Sequence, residues 1–218
     1  MCRSLVFALV VVAAGSFVCG PGAWAQTKLF WTDNSPGMMI HSMNRDGTGD
    51  VLLFDISDLA YTHLAPWLAN IVADSVNQKI YWVEIYSGLG RIERSDFDGS
   101  NREAVFGVGT FTPGDVALDP ENEHIYWISA ELGLQRMNYD GTGHVPLVGP
   151  ALCDSRGLAV HLWDDWLFWI GPGGIMRAKM DGRRLRAIVE DPGMYAWDGA
   201  VDTVAQRGLE IGNLRLRD

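Results

Sequence analysis

Four oxygen-bearing side chains, Asn70, Asp115, Asp154 and Asp198, sit at comparable places in successive stretches of the chain. Carboxylates and an amide brought together in this way are hard donors for a divalent cation, which could activate water for hydrolysis of an ester-like bond. A second set mixes aromatics with acids: Trp67, Tyr86, Tyr195 and Trp197 alongside Glu84, Glu131, Asp154 and Asp198. Aromatics rimmed by carboxylates suit recognition of a partner. The two sets share Asp154 and Asp198 yet point to different chemistry, catalysis in the first and binding in the second. Trp67 and Trp197 could equally serve as wedges between packed sheets.

Other reactive residue types form no pattern. Of three cysteines, Cys2 and Cys19 fall in an apolar N-terminal stretch, leaving Cys153 alone. A lone thiol closes no internal disulfide and is expected to behave as a small buried hydrophobe. A lipid anchor at Cys19 is disfavoured by the bulky Val18 before it. His41, His63, His124, His144 and His161 are scattered rather than spaced as metal ligands, although protonation near pH 6 could release a partner. Asp96-Phe97-Asp98-Gly99 echoes part of a calcium loop without its full donor spacing. The chain has no G-x-S-x-G, H-E-x-x-H or P-loop pattern. No cofactor is expected.

The elements that must position these residues come from an internal repeat. An aromatic-tryptophan pair recurs at Phe30-Trp31, Tyr81-Trp82, Tyr126-Trp127 and Phe168-Trp169, with tryptophan spacings of 51, 45 and 42 residues. Each pair is followed 12 to 16 residues later by Asp-Gly, at Asp46, Asp98, Asp140 and Asp181. Short runs ending at Asp74, Asp119, His161 and Asp202 keep the same period, spaced 45, 42 and 41 residues apart. Three markers sharing one period identify a repeat architecture.

Each unit reads as four short strands, A to D. In the third copy, Asp115 to Leu118 is strand A, and Asp119 to Glu123 is a polar turn. His124 to Ser129, rich in β-branched and aromatic residues, is strand B. Gly133 to Tyr139 is strand C, Asp140-Gly141 turns the chain, and His144 to Val148 is strand D. Strands C start near Ile92 and Ile175 in the neighbouring copies, with D strands at Arg102 to Phe106 and Arg186 to Val189. Four antiparallel strands repeating at this interval predict an all-β fold, a β-propeller of about four blades. The one helix-compatible stretch is Ser57 to Trp67, an insertion that lengthens the first spacing. No copy has room for a crossover helix, which disfavours a parallel α/β fold.

Composition bounds the rest. The chain has 218 residues, 48% hydrophobic and 20% charged, and a net charge of −10 from 17 basic against 27 acidic side chains. That balance argues against nucleic acid and against an anionic membrane surface, and favours cationic partners. Arg3, the apolar run Leu5 to Val18 and the small-x-small site Ala23-Trp24-Ala25 predict a signal peptide over residues 1–25. Gly15 and Ser16 make that run short for a membrane span. The mature chain, 26–218, would be secreted or periplasmic, with repeats near 28–54, 69–106, 114–148 and 157–190 and a partial one at 198–218.

The B strands resemble the YWTD motif of low-density lipoprotein receptor class B repeats, with Phe30-Trp31-Thr32-Asp33 as the best match. The C-to-D segments resemble that family's I-x-x-x-x-x-D-G-x-x-R pattern, as in Ile92 to Arg102. Later copies keep the aromatic-tryptophan pair but carry Val83-Glu84, Ile128-Ser129 and Ile170-Gly171 in place of Thr-Asp. The resemblance covers about residues 28 to 204 and implies an extracellular, non-catalytic propeller that binds a protein or glycan. The runner-up implied by the metal-donor set is a gluconolactonase-like propeller hydrolysing a lactone at Asn70, Asp115, Asp154 and Asp198. Propellers of the resembled family have six blades. Here Gly199 to Val204 would pair beside Phe30-Trp31 and close the chain, or an open arc would self-associate through its edges. Strand order places the D–A and B–C loops on one face, where the aromatic and acidic set falls. The A–B and C–D turns share the other.

Overall fold

The computed structural model describes residues 9–12, 27–34, 38–56, 67–86, 89–109, 111–153 and 156–191. The architecture of the described residues is four four-stranded antiparallel sheets, each with its strands in sequence order, as β-propeller blades require. Blade 1 contains β1 (Leu9–Val12), β2 (Lys28–Asp33), β3 (Met39–Asn44) and β4 (Val51–Asp55). Blade 2 contains β5 (Trp67–Asp74), β6 (Lys79–Tyr86), β7 (Leu89–Asp96) and β8 (Glu103–Gly109). Blade 3 contains β9 (Pro113–Asp119), β10 (His124–Ser129), β11 (Gly133–Asn138) and β12 (Val145–Val148). Blade 4 contains β13 (Arg156–His161), β14 (Trp166–Gly171), β15 (Gly174–Lys179) and β16 (Arg186–Glu190).

The chain divides into two compact units, Met1–Val108 with blades 1 and 2 and Gly109–Asp218 with blades 3 and 4. In the first, Phe30, Ile40, Leu68, Ile71 and Trp82 form a buried cluster, with Phe54 5.3 Å from the Trp82 ring and Phe97 4.7 Å from Phe30. In the second, Tyr126, Leu134, Leu158, Leu167 and Trp169 do the same. Trp82, Trp127 and Trp169 are almost wholly buried. An indole that hides about 200 Å² contributes roughly 5 kcal/mol of transfer free energy, before entropy is subtracted. Those three side chains therefore hold blades rather than ligands. Trp31 is only half-buried and stacks on His41 at 5.0 Å.

The turns repeat at the level of single hydrogen bonds. Asp46, Asp98 and Asp140 accept from the backbone N–H two residues on, at 3.0, 2.9 and 2.9 Å, and from the Thr48, Ser100 and Thr142 hydroxyls at 2.6 Å each. Those bonds favour the ionised carboxylate, so Asp46 and Asp98 sit below the ordinary range. The following glycines, Gly47, Gly99, Gly141 and Gly182, take φ between 80° and 86°, where a side chain would be strained. At the other turn, Asp74 accepts from Val76 N, Asn77 N and Asn77 Nδ2. Asp119 accepts from Asn122 N and Nδ2 in the same way.

Three expectations meet the structure differently. Trp67 opens β5 instead of ending a helix, and residues 57–66 lie outside the described residues. Strands A begin earlier than the sequence suggests, because each carries a register shift, between Leu68 and Ile71, opposite Ile128/Ser129, and between Arg156 and Ala159. The edge of β2 is paired with β1, Leu9 opposite Trp31 and Val12 opposite Lys28. That is the place expected for Gly199 to Val204, which lie outside the described residues.

Candidate functional site

Of the residues expected to bind, Trp67 and Glu131 lie at or beside the ends of described strands. Trp67, first residue of β5, is 44% exposed. Asn34 fastens the backbone beside it, donating from Nδ2 to Leu68 O at 3.0 Å and accepting from Leu68 N at 3.1 Å. In the second unit Glu131 is exposed, and its carboxylate accepts from Thr112 Oγ1 at 2.9 Å and Thr112 N at 3.3 Å. Thr112 immediately precedes β9, so Glu131 fixes the loop entering that strand. Trp67 and Glu131 are the members of the aromatic-acid set whose described side chains reach the surface.

Glu84 does not. It is fully buried and accepts from Trp82 Nε1 at 2.8 Å, Arg91 Nη2 at 2.7 Å and Arg102 Nη2 at 2.7 Å. Glu93 completes the cluster, 2.9 Å from Arg91 Nε and 2.9 Å from Arg102 Nε. Two carboxylates thus face two guanidinium groups, with Arg102 also 5.2 Å from the Phe54 ring centre and 5.5 Å from that of Trp82. The cross-strand register makes the cluster, since Glu84 lies opposite Arg91 and Trp82 opposite Glu93. Sequence reasoning put Glu84 in a loop and missed Glu93, Arg91 and Arg102. The alternation Trp82, Glu84 against Arg91, Glu93 was the available signal. Tyr86 closes β6, and Asp154, Tyr195, Trp197 and Asp198 lie outside the described residues.

Of the metal-donor set, Asn70 and Asp115 are among the described residues, and Asp154 and Asp198 are not. Asp115 is 3% exposed; its Oδ1 accepts from Val116 N and its Oδ2 from Leu158 N, both at 2.7 Å. Its carboxylate therefore ties β9 to β13, two blades joined through one side chain. Register corrects the set as well. Leu158 stands where Val116 does, so Gly157 occupies the place of Asp115, and Asp154 precedes that place by three residues. Asn70 is half-buried within β5. Cys153 is buried and free, and burial pushes its thiol up to about 11, which keeps it protonated at neutral pH. Thr32, in the best YWTD copy, is 1% exposed and its hydroxyl finds no hydrogen-bond partner among the described residues.

The repeat therefore binds the blades through their own side chains, with tryptophans as core and Asp-Gly turns as hairpins. Comparison with known proteins agrees. Vitellogenin receptor Yl of Drosophila melanogaster is 34% identical over 121 residues, which is 54% of this chain and 6% of that protein. The solved nidogen/laminin complex matches with a TM-score of 0.66 and 19% identity over 81% of this chain and 65% of that one. The repeats are similar to those of the low-density lipoprotein receptor class B, YWTD type. TolB from Acinetobacter baumannii shares the propeller fold at a TM-score of 0.60, 12% identity, over 84% of this chain and 46% of that one. No protein-family model matches the chain. In these blades the Thr-Asp half survives only at Thr32-Asp33, and Glu84, at the Asp place of the second copy, has become the centre of the buried ion cluster.

Proposed function

We propose that the chain is an exported, non-catalytic binding module that presents the loop ends of its YWTD blades to a protein or glycan partner. The observation that carries this reading is Trp67. Trp67 is not one of the B-strand tryptophans, three of which are buried in the core; it opens β5, a strand A, and stands 44% exposed there. An indole on a backbone held rigid by Asn34 is the type of anchor on which interfaces depend. The likeness to a receptor and to a complex-forming matrix propeller supports a protein partner. The hydrolase reading loses its described carboxylate, because Asp115 commits both oxygens to backbone N–H groups.

Export rests on the leader, residues 1–25. Cleavage after Ala25 removes Leu9–Val12 from the edge of β2, vacating the place that Gly199 to Val204 would take. N-terminal sequencing of protein recovered from outside the cytoplasm then starts at Gln26; a start at Met1 overturns the cleavage. Capture of extracellular proteins by the purified chain tests binding. A partner retained by the wild type and lost with Trp67→Ala, at unchanged thermal stability, supports the reading. Equal capture by both removes Trp67 from it.

A further inference from the structure

The turn ends of blades 3 and 4 line an open pocket of about 650 Å³ within the second unit. Tyr126, His124 and Arg136 line it from blade 3, and Lys179, Arg183 and Arg184 from blade 4. We infer that this cavity binds a carboxylate carried on an acidic peptide segment, through Arg136 with Arg184 at its rim. This site is formed within the second unit, whereas Trp67 belongs to the first, and it does not depend on the reading given above.

Arg136 is the first reason. It lies opposite Tyr126 as Arg94 lies opposite Tyr81. Arg94 is met by Glu103, first residue of β8, at 2.8 Å. Arg136 instead faces Val145, first residue of β12, on one side and Tyr126 on the other. No carboxylate among the described residues forms an ion pair with it. A guanidinium that lines a pocket and forms no ion pair of its own presents the fork that a carboxylate fits.

The turn across the cavity is the second reason. From Arg177 to Arg186 the chain carries five basic residues and one acid, Asp181, although its net charge is −10. Whole-chain charge hides this local reversal. In the other three Asp-Gly turns the position equivalent to Arg184 holds Gly49, Asn101 and Gly143, each with positive φ. Arg184 adopts the same conformation, φ 55°. A long cationic side chain thus stands at a place that glycine and asparagine fill in the sister turns, and it adds charge to the rim there. Arg183 beside it has a side chain 85% exposed.

The cavity also contains Asp119, Asp165 and Asp181. Three carboxylates among four cations repel a densely charged polyanion but tolerate one isolated carboxylate, whose backbone or neighbouring donors the aspartates can accept. That mixture selects an acidic peptide over a sulfated glycan.

The test is fluorescence polarisation with a labelled peptide alternating glycine and aspartate, and its asparagine counterpart. Expected are binding of the aspartate peptide alone and at least tenfold weaker affinity in Arg136→Gln and in Arg184→Gly. The latter restores the residue used by sister turns and keeps the fold, as thermal unfolding should verify. Trp67→Ala leaves this binding unchanged, which separates the two sites. No binding, equal binding of the asparagine peptide, or affinities unchanged in both variants overturns the inference. So does a short heparin oligosaccharide that binds more tightly through the same arginines.

Discussion

Arg94 and Arg136 stand at one place in successive repeats, each opposite the aromatic that precedes a B-strand tryptophan. The first is held by Glu103; the second faces a cavity. The same contrast runs through the two blades. In blade 2, Arg91 and Arg102 are matched by Glu84 and Glu93, and Lys79 by Asp96 at 2.5 Å. At the junction of blades 3 and 4, an apolar cluster holds the sheets and the cations gather at the turn. Charge in blade 2 is structural, paired inside one sheet, whereas charge around Arg136 is available to another molecule. The repeat supplies the same backbone in both. One residue at the start of strand D, Glu103 or Val145, decides which use the arginine has.

The largest expected effect lies in blade 2. Glu84→Gln leaves Arg91 and Arg102 with one buried carboxylate between them and should cost about 3–5 kcal/mol, read from urea unfolding. A loss below about 1 kcal/mol would mean that the cluster is solvated and that blade 2 is no different from blade 3. Next come the side chains that tie one blade to another. Asp115→Ala strips the acceptor from two buried N–H groups and should cost about 2–3 kcal/mol, against about 1 kcal/mol for Asn34→Ala, whose bonds are only part-buried. Equal losses would erase that distinction. Loss of a stoichiometric divalent ion on Asp115→Ala would revive the hydrolase reading.

The smallest effect separates the units by pH. Burial holds His124 below its ordinary value, with repulsion from Arg136 adding to it, and burial holds His144 below as well. The unfolded chain therefore takes up protons first, and stability should fall as pH drops from 7.5 through 6.5 toward the folded values. The urea midpoint should be lower at pH 5.5 than at 7.5, with the decline reduced in a His124→Asn, His144→Asn double variant. An unreduced decline would place the titration elsewhere.

Much of this was legible beforehand, and the reasons are physical. His124–Ser129 matched its expected strand to the residue, because β-branched and aromatic residues crowd into that run and Asp-Gly marks the next hairpin. The starts of strands A were misplaced because register shifts at Leu68 and Arg156 leave no mark in composition. Glu84 was assigned to the surface because burial of a carboxylate depends on partners seven and eighteen residues away, which only strand pairing brings in. Arg136 escaped notice for the converse reason, since its meaning lies in the acid missing from β12. The apolar run Leu5 to Val18 reads as a leader by its flanks, yet four of its residues make an adequate edge strand. Hydrophobicity alone serves both uses.

Hydrogen–deuterium exchange on the purified chain tests the blade assignment most directly. Slow exchange should fall in four blocks, centred on the inner pairs β2–β3, β6–β7, β10–β11 and β14–β15, with each Asp-Gly turn exchanging rapidly between its strands. Protection that runs unbroken through Asp98-Gly99 or Asp140-Gly141, or that groups the strands in any other number of blocks, would contradict it.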